Sequence, residues 1–391
     1  MAALIVVLCA GFAWAGPGER TLYTFTGGSN GGVPYGTMIF DNTGSLYGLA
    51  AEGTIAGTIF KLTPSGTGTW TESVIYSSPN YSDVPGLNIV FDLSGNLYGT
   101  MPSSGTCGAV YQLVPSSGGS WTQNIVFSFT DSATQGCYPE SVVFDAATGN
   151  LYGVTPEGGA NNAGAVFELT PVLGGGWNFN LIHSFGFGTD GTYPVAALTL
   201  DSSGNLYGTT YNGGSYSDGT VFRLTNGSGG WSESVLYNFT GGDNGFASSA
   251  GVVFDREGNL YGTTDAPGGG DDVGNVYKLT PTKGDWAIHI IHTFTGGPDG
   301  GNPAPFNLAI DGSGSLYGTT ELGGLYSYGV AYKLSPSASG KWKETVLHSF
   351  TNGADGANPD CGFVFDSSGN LYGSTNNGGA DGYGVVFEVK P

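Results

Sequence analysis

The sequence predicts an all-β chain folded as a seven-bladed β-propeller with four strands per blade. Leu-Tyr-Gly recurs with its tyrosine at 47, 98, 152, 207, 261, 317 and 372, at spacings of 51, 54, 55, 54, 56 and 55 residues. Each unit holds four short runs of strand character bounded by turn residues. No helical periodicity of useful length occurs anywhere. Four strands per unit in sevenfold repeat suit blades around a central channel. The rungs of a β-solenoid are shorter and need no fourth strand.

The first strand of each unit is apolar and ends in Asp, as in SVVFD (Ser141 to Asp145) and GVVFD (Gly251 to Asp255). A tight turn leads to the second, NLYGTT. The third, as in GTVFRLT (Gly219 to Thr225), follows a glycine-rich loop and returns as GAVFELT, GNVYKLT and GVVFEVK. The fourth begins near a Trp, as in WSESVLYNF (Trp231 to Phe239), and alternates apolar with polar residues as a half-exposed strand does.

Trp70, Trp121, Trp177, Trp231, Trp286 and Trp342 lead six fourth strands, and the seventh unit stops at Pro391 after its third. TLYTF (Thr21 to Phe25) stands alone before the first unit and matches SVLYNF and TVLHSF. It is expected to complete the last blade and close the ring, removing edges open to association.

Residues 1–15, MAALIVVLCAGFAWA, read as a secretory signal with an Ala-x-Ala cleavage site at Ala13 to Ala15, leaving 16–391 as one propeller. The apolar run is too short to span a bilayer. A secreted, periplasmic or extracellular monomer with no membrane span after cleavage is therefore expected.

With 10 Lys plus Arg against 31 Asp plus Glu the formal charge is −21, and nucleic-acid binding is disfavoured because phosphate needs clustered cations. Hydrophobic content of 39% and aromatic content of 13% suffice for a core, so the 72 glycines belong to ordered turns. Export permits a disulfide. Of the three cysteines that remain after cleavage, Cys107 and Cys137 fall on one face in neighbouring units and are a candidate pair, which leaves Cys361 free.

The stretch FDSSGNLYGTTYNGGSYSDGTVFRLT resembles the GloVer tandem repeat of bacterial choice-of-anchor proteins, and the resemblance covers about Thr21 to Pro391. It implies an exported bacterial protein of a family with no assigned reaction. Family members often carry a C-terminal surface anchor, whereas this chain ends in VVFEVKP without a hydrophobic tail, so a soluble exported protein is expected. The Asp-x-x-Gly-Asn-Leu-Tyr turn is also similar, less closely, to propellers of the NHL and gluconolactonase type, which implies that the VVFD strand is innermost.

The repeated Asp (41, 92, 145, 201, 255, 311 and 366) invites a calcium reading, but a calcium loop gathers several carboxylates at alternating positions and each copy offers one. A hairpin in which Asp caps backbone N–H groups and Gly takes positive φ accounts for the pattern. No cofactor and no metal ligands are assigned; calcium stays open without a motif behind it. His183, His292 and His348 occupy a fourth-strand position filled elsewhere by Tyr23, Tyr76, Phe127 and Tyr237, one per blade, too far apart to share a metal; His289 lies off this column. The glycine after each repeat tyrosine is expected to admit an aromatic ring. No nucleophile elbow, zinc-protease or phosphate-loop motif occurs, and no catalytic residue is assigned.

The loop between second and third strands is short in two units, AEGTIA and PSSGTC, and longer in the others, which read PEGGANNA, YNGGSYSD, DAPGGGDDV, ELGGLYSY and NNGGADGY. With VVFD innermost, these loops share one face with the outer-to-inner connections. Candidate binding residues there are Tyr211, Tyr216, Asp218, Asp271, Asp272, Glu321, Tyr326, Tyr328, Asp381 and Tyr383. Aromatic rings beside carboxylates suit carbohydrate, and loops on rigid scaffolds carry function. The leading expectation is a non-catalytic binding module for a polysaccharide, glycan or cell-surface partner. The alternatives are a carboxylate-dependent hydrolase or lyase acting on extracellular glycans, and a purely structural surface protein.

Overall fold

Seven four-stranded antiparallel blades form a ring in the structure, a computed structural model that describes residues 18–52, 56–66, 68–246, 250–264 and 273–391. The leader reading of residues 1–15 lies outside these. Blade 3 is representative: inner strand Ser141–Phe144, second strand Leu151–Thr155, third strand Ala165–Pro171 and outer strand Trp177–Ser184, hydrogen-bonded in that order. The described α-helix is one turn, Ser132–Gln135.

Ring closure follows the expected route. Glu19–Thr24 pairs antiparallel with Val385–Val389 as the outer strand of blade 7, so the first and last segments share one sheet. Phe25, fully buried, then packs edge-on against Phe60 of blade 1 at 5.1 Å.

The VVFD strands are innermost, because the segments that begin them touch in an unbroken circle. Thr37 bridges to Asn88; Asn88 exchanges two hydrogen bonds with Val142, at 2.7 and 3.0 Å; and Ser141 donates to the Ala196 carbonyl at 3.3 Å. Thr199 then donates to Val252, Gly251 abuts Asn307, and Gly362 lies between the Asn307 carbonyl and Thr37.

The Asp turn is scaffold. In blade 4 one Asp201 oxygen accepts the Ser203 and Asn205 backbone N–H groups at 2.8 and 2.9 Å, and the other accepts the Asn205 amide and Tyr207 hydroxyl. Burial opposes its ionisation, but these bonds win and hold the carboxyl below its usual value. Gly204 has φ 79°, a conformation that favours glycine.

The tyrosine that closes this turn also joins blades. Tyr98 of blade 2 meets Trp177 of blade 3 edge-on at 5.8 Å, and Tyr152, Tyr261 and Tyr372 repeat the contact with Trp231, Trp342 and Trp70. The next residue must be glycine. A Cβ on Gly153 would sit 2.4 Å from Cζ of Phe167 in the neighbouring strand.

Each outer strand carries one extra residue at the same register, at Leu22, Ile75, Val126, Ile182, Leu236, Ile291 and Leu347. Such a bulge re-aims the side chains beyond it. The following residue, Tyr, Phe or His, thereby becomes a blade-boundary residue.

Candidate functional site

A second lock between blades builds the long-loop face. Proline at the start of several inner strands lays its Cδ on the glycine that opens the third strand of the preceding blade, as Pro139 does on Gly108, Pro194 on Gly164 and Pro359 on Gly329. The residue before the proline donates its N–H back to the preceding blade: Tyr138 to Cys107, Tyr193 to Ala163 and Asn358 to Tyr328, at 2.8 to 2.9 Å. To do so, Tyr138, Tyr193 and Asn358 take φ of 61°, 63° and 51°, a costly backbone held by its surroundings. Tyr138 and Tyr193 are thereby fixed on the surface. A disulfide between Cys107 and Cys137 ties the loop of blade 2 to the entry of blade 3. Among the described residues Cys361 is the free cysteine; its thiol is buried, and burial pushes it up to about 12.

The long loops are equally braced. In blade 4, Asn212–Gly213 pairs with Gly191–Thr192 as a miniature ribbon, and the Ser215 N–H bonds to the Asn238 side chain at 2.8 Å. Ser217 and Ser327, in matching places of the blade 4 and blade 6 loops, both have φ 66°. Their neighbours Tyr216 and Tyr326 are 62% and 55% exposed.

All nine aromatic residues classed as exposed among the described residues lie on this face. Loops supply Tyr211, Tyr216, Tyr326 and Tyr328; outer-to-inner connections supply Tyr81, Tyr138, Phe187, Tyr193 and Phe246. The second group was not legible from residue type, because its exposure follows from the proline lock and connection geometry. A pre-proline tyrosine in CYP and TYP was the available signal.

Beside blade 4 the face dips into a hollow of about 610 Å³ lined by Phe187, Thr189, Thr192, Asn212, Ser215 and Ser217 together with glycines. Phe187 is 79% exposed, and no lining residue is charged. In a chain of formal charge −21, that neutrality is informative.

Several of the candidate binding residues serve the scaffold. Tyr383 packs its ring on Gly27 and Gly32 of the ring closure. Glu321 accepts the Asn302 amide at 3.0 Å and its carbonyl accepts Asn358, so it fastens blade 6 to blade 7. Asp218 is half-buried against Gly241, Asp381 is exposed, and Asp271 and Asp272 lie outside the described residues. Burial pushes Glu140 of blade 3 up to about 7 and also raises Asp360 of blade 7, but neither carboxylate has the other among its electrostatic neighbours. Among the described residues no three His, Cys, Asp or Glu side chains are grouped to hold a metal ion.

The histidines complete boundary clusters. His183, His292 and His348 lie 3.5, 3.8 and 2.9 Å from Asp190, Asp299 and Asp355 of their own blades. The glutamates Glu233, Glu344 and Glu19 of the following blades face these pairs, and burial pushes each up to about 7.

The fold and its repeat define the chain as a tandem-repeat β-propeller protein. The signature described as the Gloeobacter/Verrucomicrobia repeat matches residues 85–307 and 287–391. The chain belongs to that family. Comparison with curated proteins yields no match. Among solved structures it is similar to a candidate 6-phosphogluconolactonase from Bacteroides uniformis, at 14% identity and TM-score 0.53 over 79% of this chain and 83% of that one. It is also similar to PorZ, a surface component of the type-IX secretion system of Porphyromonas gingivalis, at 14% identity and TM-score 0.54 over 91% of this chain and 46% of that one. At these identities the likeness is one of fold.

Proposed function

We propose that this propeller is an exported, non-catalytic binding module that recognises a neutral polysaccharide of the extracellular or cell-envelope space through its long-loop face. The observation that carries the reading is the confinement of the nine exposed aromatic residues to that one face. Sugar rings offer C–H faces that stack on aromatic rings and hydroxyls that bond to amides and alcohols. The blade 4 hollow supplies both, with Phe187 beside Thr189, Thr192, Asn212, Ser215 and Ser217. Its loops are held by hydrogen bonds of their own, so little ordering entropy is lost on binding.

The test is a glycan array followed by calorimetry on the best neutral oligosaccharide, with Phe187→Ala and the double change Tyr326→Ala, Tyr328→Ala. Phe187→Ala is expected to weaken binding by about tenfold, the scale of one lost aromatic contact. An array without a hit, with and without calcium, would overturn the reading.

A further inference from the structure

The opposite face, where the Asp turns lie, carries a different kind of site. Of the ten Lys and Arg residues, six belong to blades 5 and 6, in the half of each blade nearest that face: Arg256, Lys278, Lys283, Lys333, Lys341 and Lys343. Between these two blades opens a cavity of about 1120 Å³ whose walls include Arg256, Lys278, Lys341, His289 and Trp342. The corresponding cleft between blades 1 and 2 is about 670 Å³ and has one cation, Lys61, which is 3.5 Å from Asp41.

The cations of the larger cavity are not neutralised by ion pairs of their own. Among the described residues, Arg20 and Lys61 form ion pairs with carboxylates, and none of the six does. Asp255, Glu257 and Asp311 line the same cavity, and the oxygens of the two aspartates are already engaged within their own turns. Asp255 accepts the Glu257 and Asn259 backbone N–H groups, the Asn259 amide and the Tyr261 hydroxyl. Asp311 accepts Ser313, Ser315 and Tyr317 in the same way. Lys278 lies 5.6 Å from the centroid of the Tyr261 ring, and a Cβ on Gly312 of blade 6 would lie 3.4 Å from the guanidinium of Arg256 in blade 5.

We propose that this cavity binds an acidic oligosaccharide, one bearing about one carboxylate per sugar. Its volume exceeds by far what a compact inorganic anion fills and lies at the upper end for small-molecule sites. Its cations are distributed over both blades, which suits negative charge spaced along an extended ligand. Trp342, with Ile290 and Ile310, gives sugar faces an apolar wall. A densely charged polyphosphate meets the repulsion of the surrounding −21 protein, whereas a sparsely charged saccharide meets less of it. The site lies on the other face from the neutral-glycan hollow and needs none of its residues.

The experiment is calorimetric titration of the full chain with trigalacturonate at low salt, with maltotriose and inorganic phosphate in parallel. Trigalacturonate is expected to bind, to weaken at least tenfold in Arg256→Ala, Lys341→Ala, and to weaken severalfold at 300 mM salt. Both positions are exposed turn residues, and the charge-conserving pair Arg256→Lys, Lys341→Arg is expected to retain most of the affinity. Phe187→Ala is expected to leave it unchanged, which separates this site from the neutral-glycan reading. No binding of trigalacturonate, equal binding by the alanine variant, or equal affinity for maltotriose would overturn the proposal. Equal competition by inorganic phosphate would overturn its saccharide part.

Discussion

His348 Nε2 lies 2.9 Å from Asp355, while at the same places in blades 7 and 4 the Asn30 and Asn244 amides donate to the hydroxyls of Tyr23 and Tyr237 at 3.4 and 3.2 Å. Five of the seven repeats thus hold one of two combinations at this boundary position, His with Asp or Tyr with Asn. In blade 6 the pair is a hydrogen bond between two buried polar side chains, each of which would otherwise lack this partner.

The pairing predicts a coupled result. His348→Tyr alone is expected to cost about 1–3 kcal/mol by leaving the buried Asp355 short of its partner. Adding Asp355→Asn is expected to recover about 1 kcal/mol or more, read as a non-additive double-mutant cycle in urea unfolding. Additive losses would show that the two positions are independent.

Glu140 predicts a pH effect of definite sign. Burial pushes its carboxyl from 4.5 to about 7 in the folded chain, so the native state holds its proton more tightly than the unfolded state. The contribution to stability is full below pH 4.5 and is lost as pH rises through about 7. Glu140→Gln is expected to match wild type near pH 4.5 and to be about 1–3 kcal/mol more stable at pH 8. Unfolding measured across that range checks it; parallel curves would contradict it.

Phe25 tests the ring closure. It is fully buried at the seam between blades 7 and 1, where Glu19–Thr24 completes the sheet. Phe25→Ala is expected to cost about 3–5 kcal/mol, and deletion of residues 19–25 to lower the melting temperature by more. A melting curve unchanged by the deletion would show that the ring does not depend on this strand.

Much of the architecture was legible because each repeat states its own local chemistry. Asp201, Gly204, Asn205 and Tyr207 form a turn that needs only neighbours in sequence, and its sevenfold return separated scaffold from site. The glycine after each tyrosine was legible for the same reason, although the aromatic ring that requires it stands one strand away. Less was legible of the site. Tyr383 has the residue type of a binding tyrosine, but ring closure lays it on Gly27 and Gly32. Phe187 is absent from the candidates read from the sequence, and the structure makes it part of the wall of a hollow together with a ribbon of the next blade.

The sequence by itself determined the strand count, the seven units, the closing strand and the face on which the loops diverge, since these follow from periodicity and from which unit lacks which strand. Tertiary structure alone decided what meets across blades. Arg256, Lys278 and Lys341 share one cavity because residues of two adjacent blades line it, and Glu19 faces His348 because the ring closes. Such contacts depend on how neighbouring blades pack side by side, and that is not written in any single repeat.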